Sequence, residues 1–386
     1  MQTTLLGLAI AIIIALVAAL VGPSFIDWNQ YKPQFEAEAA RVVGARVRVE
    51  GVLDARLLPA PILRLHTVSV GAPNDATRMR ADKLDVEFSL SSLMRGEWRA
   101  THLSLNGAAL DLGLDQKGSI IAPSKGAFNF GALAIDKLDL TGRVKVHDAA
   151  SGADYAVNDI VFSGDVRALG SNMRGEGSFA ASDVRQPFRL VMSQTQDNKG
   201  TRIRIDLDPA KDGAVSGGID GALTFDKRTP RFDGAVTLTR QGDMPWRVSA
   251  KTKAAPAGAS FEQADIVYGS DETGLKLTGS GDVSFGKSPL LRASISAQQL
   301  DADRALSKGE AGSRAGIPAA MRALLAAMPS LPLSSQIDFS ADQITFGGKP
   351  VQGMTAKLRG ASDAWTINKF DLTAPGTSRL TVSGVI

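Results

Sequence analysis

The sequence of 386 residues contains no cysteine, and this absence removes several classes of protein at once. Disulfide scaffolds, thiolate metal sites and cysteine nucleophiles all require that residue. Histidine is also scarce: His66, His102 and His147 each stand alone in a strand-like stretch, without a second ligand at metal spacing. No phosphate-binding loop or nucleophile elbow occurs either. We therefore expect no metal, no cofactor, no catalytic residue and no enzymatic activity.

Aromatic residues form only 6% of the sequence, and none of them alternates with a basic cluster. Proteins that stack single-stranded nucleic acid combine aromatic side chains with such clusters. The 43 basic and 40 acidic residues nearly cancel, and neither sign forms a long block. We therefore expect a mixed, solvated surface and no nucleic-acid partner.

Charged residues are missing altogether from residues 1–26. Residues 5–21 are almost all Leu, Ile, Val and Ala, and roughly 17–20 such residues in a helix approach the thickness of a bilayer core. A cleaved signal peptide is the alternative, but a basic first region and a small-residue cleavage site are both missing. Residues 1–26 therefore predict an uncleaved transmembrane anchor, with the bulk of the chain outside the cytoplasm. The apolar side chains assigned to this anchor are Leu5, Leu6, Ile12, Ile13, Ile14, Leu16 and Leu20.

From residue 45 onward apolar and polar residues alternate, with Gly, Asp, Asn or Pro between successive strand-like stretches. We expect a mostly β fold, in which an N-terminal transmembrane helix precedes a long, curved, groove-like antiparallel sheet with a few short helices. Helices are predicted near residues 29–43, 89–95 and 318–328, and the glycine-rich residues 212–223 predict a hairpin. The predicted regions are the anchor over residues 1–26, a β-groove over 27–300, and further β-repeats with a helical insertion over 301–386.

One local pattern, apolar-x-apolar-x-Gly-x-apolar, recurs at residues 47–53, 138–144, 160–166 and 380–386. Because side chains alternate between faces, each glycine shares a face with its apolar neighbours and leaves that face thin. Two interpretations remain open: tight packing in an ordinary sandwich, or a sheet that is bent into a trough at its glycines. At Gly107 the alternation slips by one residue, which predicts a β-bulge.

The order of these elements resembles the N-terminal module of the AsmA family of bacterial envelope proteins. The anchor, the helix near residues 29–43 and the stretch VRVEGVLDARLLPAPILRLHTVSVG (47–71) are similar to that family's membrane helix, glycine-containing strand, proline corner and second strand. Residues 81–119, which begin ADKLDVEFSLSSLMRG, are similar to its next strand, short helix, strand and turn. The resemblance covers residues 1 to about 120 and is diffuse beyond them.

The resemblance implies a single-pass protein of the bacterial inner membrane with its body in the periplasm. Related proteins belong to the bridge-like lipid transfer group, whose repeated strands form a hydrophobic groove for phospholipid. The family is also linked to outer-membrane protein assembly and to envelope integrity. Because family members are commonly longer, the resemblance raises the further hypothesis that this chain continues into a longer bridge.

We expect the protein to bind the acyl chains of phospholipid and to take part in lipid transport between the inner and outer membranes. The alternative is a scaffold or chaperone for outer-membrane protein assembly, with outer-membrane or periplasmic envelope proteins as partners held at an open strand edge. A third hypothesis, an enzyme acting on envelope glycans, requires a polar cleft with close carboxylates. The residues predicted to line the groove, with Gly51 as a bending point at its mouth, are Val47, Val49, Gly51, Leu53, Leu103, Leu105, Leu138, Leu140, Ile160 and Phe162.

Overall fold

The computed structural model describes residues 26–56, 60–95, 99–124, 134–168, 172–181, 184–197, 200–211, 214–242, 245–269, 274–301, 333–346, 348–361, 364–374 and 378–385. The predicted anchor, apart from Ile26, and the predicted helix over residues 318–328 lie outside this part of the chain. Within the described residues, no helix has the length and apolar character needed to cross a membrane.

The chain forms two compact units. Unit 1 comprises residues 1–149 and 154–203, and unit 2 comprises residues 150–153 and 204–386. The boundary predicted near residue 300 falls inside unit 2, at the end of a strand. Both units consist mainly of strands, so the predicted mostly β fold with few helices is confirmed within each unit.

Unit 1 begins with a 3-10 turn, Trp28–Tyr31, followed by helix α1, Lys32–Val43. Pro33 occupies the first turn of α1, where its missing N–H costs no helical hydrogen bond. Gly44 ends the helix in the left-handed conformation, with φ of +78°, and its N–H donates to the Ala40 carbonyl at 2.9 Å. These residues explain why a helix forms where the sequence predicts one over residues 29–43.

The strands of unit 1 are β1 Val47–Val49, β2 Leu53–Arg56, β3 Ile62–Val70, β4 Arg78–Phe88, β5 Arg99–Leu114, β6 Ala134–Asp148, β7 Ala153–Ala168, β8 Asn172–Ala181 and β9 Val184–Gln194. A short helix α2, Leu90–Met94, lies between β4 and β5, and the Ser89 hydroxyl caps it by accepting from the Ser92 N–H at 3.3 Å. β3 pairs with β1 and β2 on one side and with β4 on the other. Strand β10, Gly200–Leu207, contains the boundary between the units.

The strands of unit 2 are β11 Val215–Asp226, β12 Thr229–Arg240, β13 Trp246–Ala255, β14 Gly258–Tyr268, β15 Leu275–Ser284, β16 Leu290–Asp301, β17 Ser334–Phe346, β18 Lys349–Ala361, β19 Ala364–Ala374 and β20 Ser378–Val385. Each strand pairs with the next along the chain, from β11 to β20. Of the glycine-rich residues predicted as a hairpin at 212–223, those from Val215 onward lie in β11. The turn between β11 and β12 is at Lys227 and Arg228, whose φ values are +47° and +74°.

Among the strand pairs whose register the structure describes, each unit contains a parallel pair, which differs from the antiparallel sheet predicted from the sequence. In unit 1 the pair is β5 and β6, and in unit 2 it is β16 and β17. Parallel neighbours need a crossover of about a dozen residues or more. The chain supplies such connections at residues 115–133 and 302–333, the two longest gaps between paired strands in their units.

The strand register gives each unit one apolar face. In unit 1 a row of leucines crosses four neighbouring strands: Leu65 pairs with Leu84, Leu84 with Leu105, and Leu105 with Leu140. In unit 2 the row that starts at Leu238 continues through Val248, Ile266 and Leu277. Register therefore collects the alternating apolar residues of each unit on one side of its strands.

The alternation slips at several bulges, where apolar residues three positions apart share a face. Thr67, with φ of +51°, lies between the buried Leu65 and Val68. Gly107 has φ of +63°, and the register of β5 against β6 shifts between Leu105 and Ala108, so the predicted bulge is confirmed. Bulges bend a strand and increase its twist, and here they also keep the apolar residues on one face.

Two of these bulges pair an aspartate with a glycine of positive φ on the next strand. In unit 1 Gly107 lies beside Asp82, since a Cβ on this glycine would be 2.2 Å from the Asp82 Oδ2. In unit 2 Gly353, with φ of +60°, lies opposite Asp342, because the residues flanking Asp342 pair with those flanking Gly353. We call Asp82–Gly107 and Asp342–Gly353 the bulge pairs.

Within the described part of the chain, buried apolar residues form three clusters. The helix-covered cluster of unit 1 lies on β1 to β3 beneath α1, and the strand cluster of unit 1 lies on β5 to β7. The third, the C-terminal cluster, lies on β15 to β19 of unit 2. Their buried members are Ala45, Val47, Val49, Leu53, Leu65, Val68 and Val70; Ala100, Ile135, Leu138, Phe162 and Val166; and Leu275, Ala297, Leu300, Ala341, Ile344, Val351, Ala356, Ile367, Phe370 and Leu372.

Candidate functional site: the apolar sheet face

Three of the predicted lining residues, Val47, Val49 and Leu53, are 4–6% exposed and lie in the helix-covered cluster. Helix α1 and the 3-10 turn before it are held over them by hydrogen bonds from strand N–H groups to two side chains. The Val49 N–H donates to the Glu36 carboxylate at 2.8 Å, and the Leu53 N–H donates to the Asn29 side-chain oxygen at 3.2 Å. These three side chains therefore pack against protein, and a role in contacting lipid stays a prediction for them.

Gly51 lies where strands β1 and β3 approach closely. Its N–H donates to the His66 carbonyl at 3.0 Å, and a Cβ at this position would be 2.6 Å from the same oxygen. Such a distance leaves no room for any side chain without movement of the β3 backbone. The glycine on the apolar stripe thus permits the close approach of β3, and its predicted role as a bending point at a groove mouth stays a prediction.

Five of the other predicted residues lie together in and around the strand cluster of unit 1. Leu103 pairs with Leu138 and Leu105 with Leu140 across the parallel junction, and Leu140 packs against the cluster that contains Phe162. Leu138 and Phe162 are buried, at 6% and 7% exposure, whereas Leu103, Leu105, Leu140 and Ile160 are only partly buried. The structure thus brings Leu103, Leu105, Leu138, Leu140 and Phe162 together, three of them partly accessible to solvent, and the lining role of Ile160 stays a prediction.

An uncovered part of the apolar face lies on strands that the sequence analysis did not single out. Among the described positions from 172 to 255, no residue is fully buried. In unit 2 this stretch includes β11 to β13. On the apolar side of these strands Leu238 is 39% exposed to solvent. We call the apolar-face residues of these three strands the open face of unit 2; they are Ile219, Gly221, Leu223, Phe232, Gly234, Val236, Leu238 and Val248.

Aromatic rings lean over glycines on this face. The Phe232 ring tip lies 2.7 Å from the position that a Cβ would take on Gly221, and 2.8 Å from the corresponding position on Gly234. In unit 1, Phe162 makes the same arrangement with Gly164 and Gly175, at 2.8 Å and 2.6 Å. Each ring fills the space of the missing side chains, which is a known compensation for glycine in strands. The result is a thin apolar surface with few projecting side chains.

The signal for the open face was present in the sequence. The stretches GGIDGALTF at residues 217–225 and FDGAVTL at residues 232–238 both place glycine among alternating apolar residues. The sequence does not distinguish these two stretches from other strands, because apolar and polar residues alternate in the same way in a covered strand and in an uncovered one. Exposure depends on which other elements pack above the strand, and that is decided by the fold.

The opposite face of unit 1 carries cross-strand ion pairs. Asp111 on β5 contacts Arg78 on β4 at 3.0 Å and Arg143 on β6 at 3.4 Å. The Asp139 carboxylate lies 2.6 Å from His102 Nε2, and hydrogen bonds from the Ser163 side chain and His102 hold the pKa of Asp139 below its usual range. These charged side chains are partly exposed, so this face is polar and solvated. Exposed ion pairs of this kind contribute about 1 kcal/mol or less each to stability.

This polar face also brings a serine, a histidine and an aspartate together. Asp139 receives hydrogen bonds from both Ser163 and His102, so the aspartate lies between the other two side chains. A catalytic triad instead requires the histidine between the nucleophile and the acid. Among the described residues, no group of three or more His, Cys, Asp or Glu side chains is arranged to hold a metal ion.

The comparison with known proteins adds one finding at the N-terminal end. No curated protein and no solved structure matches the chain. The model of the AsmA family matches residues 2–123, a range that includes α1, the helix-covered cluster and strands β1 to β5. The predicted resemblance over residues 1 to about 120 is thereby confirmed, and the first third of the chain is AsmA-like.

Proposed function

We propose that this protein binds phospholipid acyl chains on its apolar sheet face and takes part in lipid transport between the inner and outer membranes of a bacterial envelope. The observation that carries the proposal is the open face of unit 2, where alternating apolar side chains are paired in register but none is fully buried. Soluble proteins rarely expose contiguous apolar surface unless it meets a partner.

An acyl chain suits this surface because it needs only a continuous apolar lining. Each methylene removed from water contributes roughly 0.8 kcal/mol, so a chain that covers several strands gains substantial binding free energy. The glycines and their overlying rings leave an apolar surface with few projecting side chains, on which a long acyl chain has room to lie. The opposite face of β11 and β12 carries charged side chains, among them Asp220, Arg231 and Asp233, so the acyl chain is confined to the other side of these strands.

The N-terminal part of the chain supports the proposed location in the cell. The uncharged residues 1–26 and the AsmA match support a single-pass anchor in the inner membrane with the bulk of the chain in the periplasm. The N-terminal match is also where membrane attachment is expected, immediately before the helix-covered cluster. Outer-membrane or periplasmic envelope proteins are additional partners in this proposal.

The test places a charge on the open face. Leu238→Glu puts a carboxylate between Gly217 and Val248, its neighbours on β11 and β13, whereas Thr239→Glu puts the same group on the opposite face one residue away. The full chain is purified in mild detergent, and bound lipid is extracted and measured by mass spectrometry. We expect phospholipid with the wild type and with Thr239→Glu, and a loss of at least about half of it with Leu238→Glu.

Absence of lipid from folded wild-type protein would overturn the proposal. So would equal lipid content in the two variants, because the charge on the open face would then be irrelevant to binding. A photocrosslinker at position 238 separates the alternative function: crosslinks to polypeptide rather than lipid would favour a scaffold or chaperone for outer-membrane protein assembly.

A further inference from the structure

A cavity of about 760 Å³ opens at one rim of unit 1, where β5, β6 and β8 begin and β7 and β9 end. Its volume lies within the range of pockets that hold small molecules in proteins, about 300–1,000 Å³. Because it is at the ends of the strands, side chains from both faces of the sheet meet around it. The cavity is therefore the place in unit 1 where apolar and charged groups come together.

The floor of this cavity is apolar and belongs to the strand cluster. Ile135 and Val166 are each 1% exposed, and Met173 packs against the same cluster. Met173 pairs with Val166 on β7 and with Met192 on β9, so the apolar side chains continue across three strands. The apolar cluster of unit 1 thus continues into the lining of the cavity.

Two ion pairs form the cavity wall above this floor. Arg99 contacts Asp136 at 2.6 Å, and Arg174 contacts Asp165 at 3.3 Å. The four side chains are between 46% and 77% exposed, so their charged ends are reachable from solvent. Two arginines and two aspartates leave the wall with no net charge.

We propose that this cavity holds the headgroup of a zwitterionic phospholipid, one that carries a phosphate diester and an ammonium group. The inference rests on the proposed function, because it assumes that acyl chains lie on the apolar face. The guanidinium of Arg174 or Arg99 suits the phosphate, which it can bind through two parallel hydrogen bonds. The ammonium pairs with the carboxylate that the arginine partly releases.

Charge balance favours the zwitterion over an anionic lipid. When a zwitterionic headgroup enters, both members of an ion pair find a new partner of opposite charge. An anionic headgroup supplies a partner for the arginine only, and it leaves the neighbouring aspartate near a second negative charge. The charged side chains of the cavity wall thus select the headgroup, while the apolar floor binds the acyl chains of any phospholipid.

The experiment measures this selection directly. The full chain is equilibrated in detergent with equal amounts of phosphatidylethanolamine and phosphatidylglycerol, purified again, and its bound lipids are quantified by mass spectrometry. We expect the wild type to be enriched in phosphatidylethanolamine by about two- to fivefold, the range expected for exposed charge pairs. Asp165→Asn should shift the ratio towards phosphatidylglycerol, and Arg174→Gln should shift it further towards phosphatidylethanolamine.

The matched control is the ion pair between Arg231 and Asp226, whose charged atoms are 3.4 Å apart and whose side chains are each 62% exposed. This pair lies in unit 2, on the face of β11 and β12 opposite the open face. Asp226→Asn and Arg231→Gln should leave the ratio unchanged. A wild-type ratio of one, or an equal shift in Asp165→Asn and Asp226→Asn, would overturn the headgroup assignment while bound lipid upholds the proposed function. No bound lipid at all would overturn both.

Discussion

The helix-covered cluster of unit 1 and the open face of unit 2 have the same alternation of apolar and polar residues, but they differ in what lies above them. Val47 and Val49 are 5–6% exposed beneath α1, whereas Leu238 is 39% exposed on β12. One surface is a closed core and the other is available to a ligand. The comparison shows that the residues of a strand decide which side is apolar, and the covering element decides whether that side is core or binding surface.

Truncating one leucine in each region should give the largest contrast in stability. Leu65 is fully buried in the helix-covered cluster, so Leu65→Ala is expected to lower the free energy of unfolding by about 2–5 kcal/mol. Leu238→Ala removes a side chain that is already partly in water, and we expect a loss below about 1 kcal/mol. Urea unfolding followed by circular dichroism measures both. Similar losses would mean that the open face is covered in solution.

The hydrogen bond that joins helix α1 to strand β1 provides the next test. Glu36→Ala removes the acceptor for the partly buried Val49 N–H, and the expected loss is about 1.5–3 kcal/mol, the range for hydrogen bonds to charged groups. The control is Glu38→Ala on the same helix, which removes only an exposed ion pair with Arg41 and should change stability by about 0.5 kcal/mol or less. Equal effects would show that α1 is not held down through Glu36.

The two bulge pairs allow a matched comparison between the units. Gly107→Ala and Gly353→Ala both place a side chain at positive φ, which costs about 1–2 kcal/mol. Only Gly107 has a close neighbour, the Asp82 carboxylate, whereas nothing lies within 4 Å of a Cβ at Gly353. We expect Gly107→Ala to be the more destabilising by about 1 kcal/mol in thermal or urea unfolding. Adding Asp82→Ala should remove that difference, and its persistence would contradict the register described here.

The smallest expected effect is on the loss of stability at acidic pH. Lys369 and the Thr381 hydroxyl, at 2.6 Å and 2.7 Å, hold the pKa of Asp371 in unit 2 below its ordinary value of 3.8. Because the folded-state pKa is lowered, this stabilisation is fully present above about pH 4 and is lost as the pH falls through the folded-state value. Asp371→Asn should therefore lose less unfolding free energy than the wild type between about pH 5 and pH 3. An identical acid dependence would show that Asp371 is not linked to folding.

Asp139 in unit 1 is the counterpart of Asp371, since hydrogen bonds from Ser163 and His102 also lower its pKa. Asp371 is 9% exposed at its side chain and Asp139 is 34% exposed, so solvent screens the second site more. We expect Asp139→Asn to change the acid dependence in the same direction but by a smaller amount. Urea unfolding across the same pH range gives both comparisons in one series.

Much of the local structure was predictable because it depends on neighbouring residues. Pro33 and Gly44 delimit α1, and the slip of apolar positions around Gly107 is visible in the residue order itself. The parallel pairing of β5 with β6 was not predictable in this way. Alternation reports which side of a strand is apolar, but it carries no information about the direction of the neighbouring strand.

The candidate site was predictable only in part for the same reason. The sequence placed Leu103, Leu105, Leu138 and Leu140 on one face, and the register brings them together. It could not distinguish them from Val47, Val49 and Leu53, which pack beneath a helix. The cavity that contains Arg99, Asp136, Asp165 and Arg174 joins residues far apart in the chain, and no spacing rule relates them.

The sequence by itself determined a mostly β chain with an uncharged apolar start, an AsmA-like first third and one apolar side to each strand. These features follow from composition and from periods of a few residues, which short-range geometry imposes. Only the tertiary structure decided which apolar residues are enclosed, which remain exposed on β11 to β13, and where charged pairs meet an apolar floor. Burial and charge pairing depend on contacts between distant segments, and the packing of helices and strands sets those contacts.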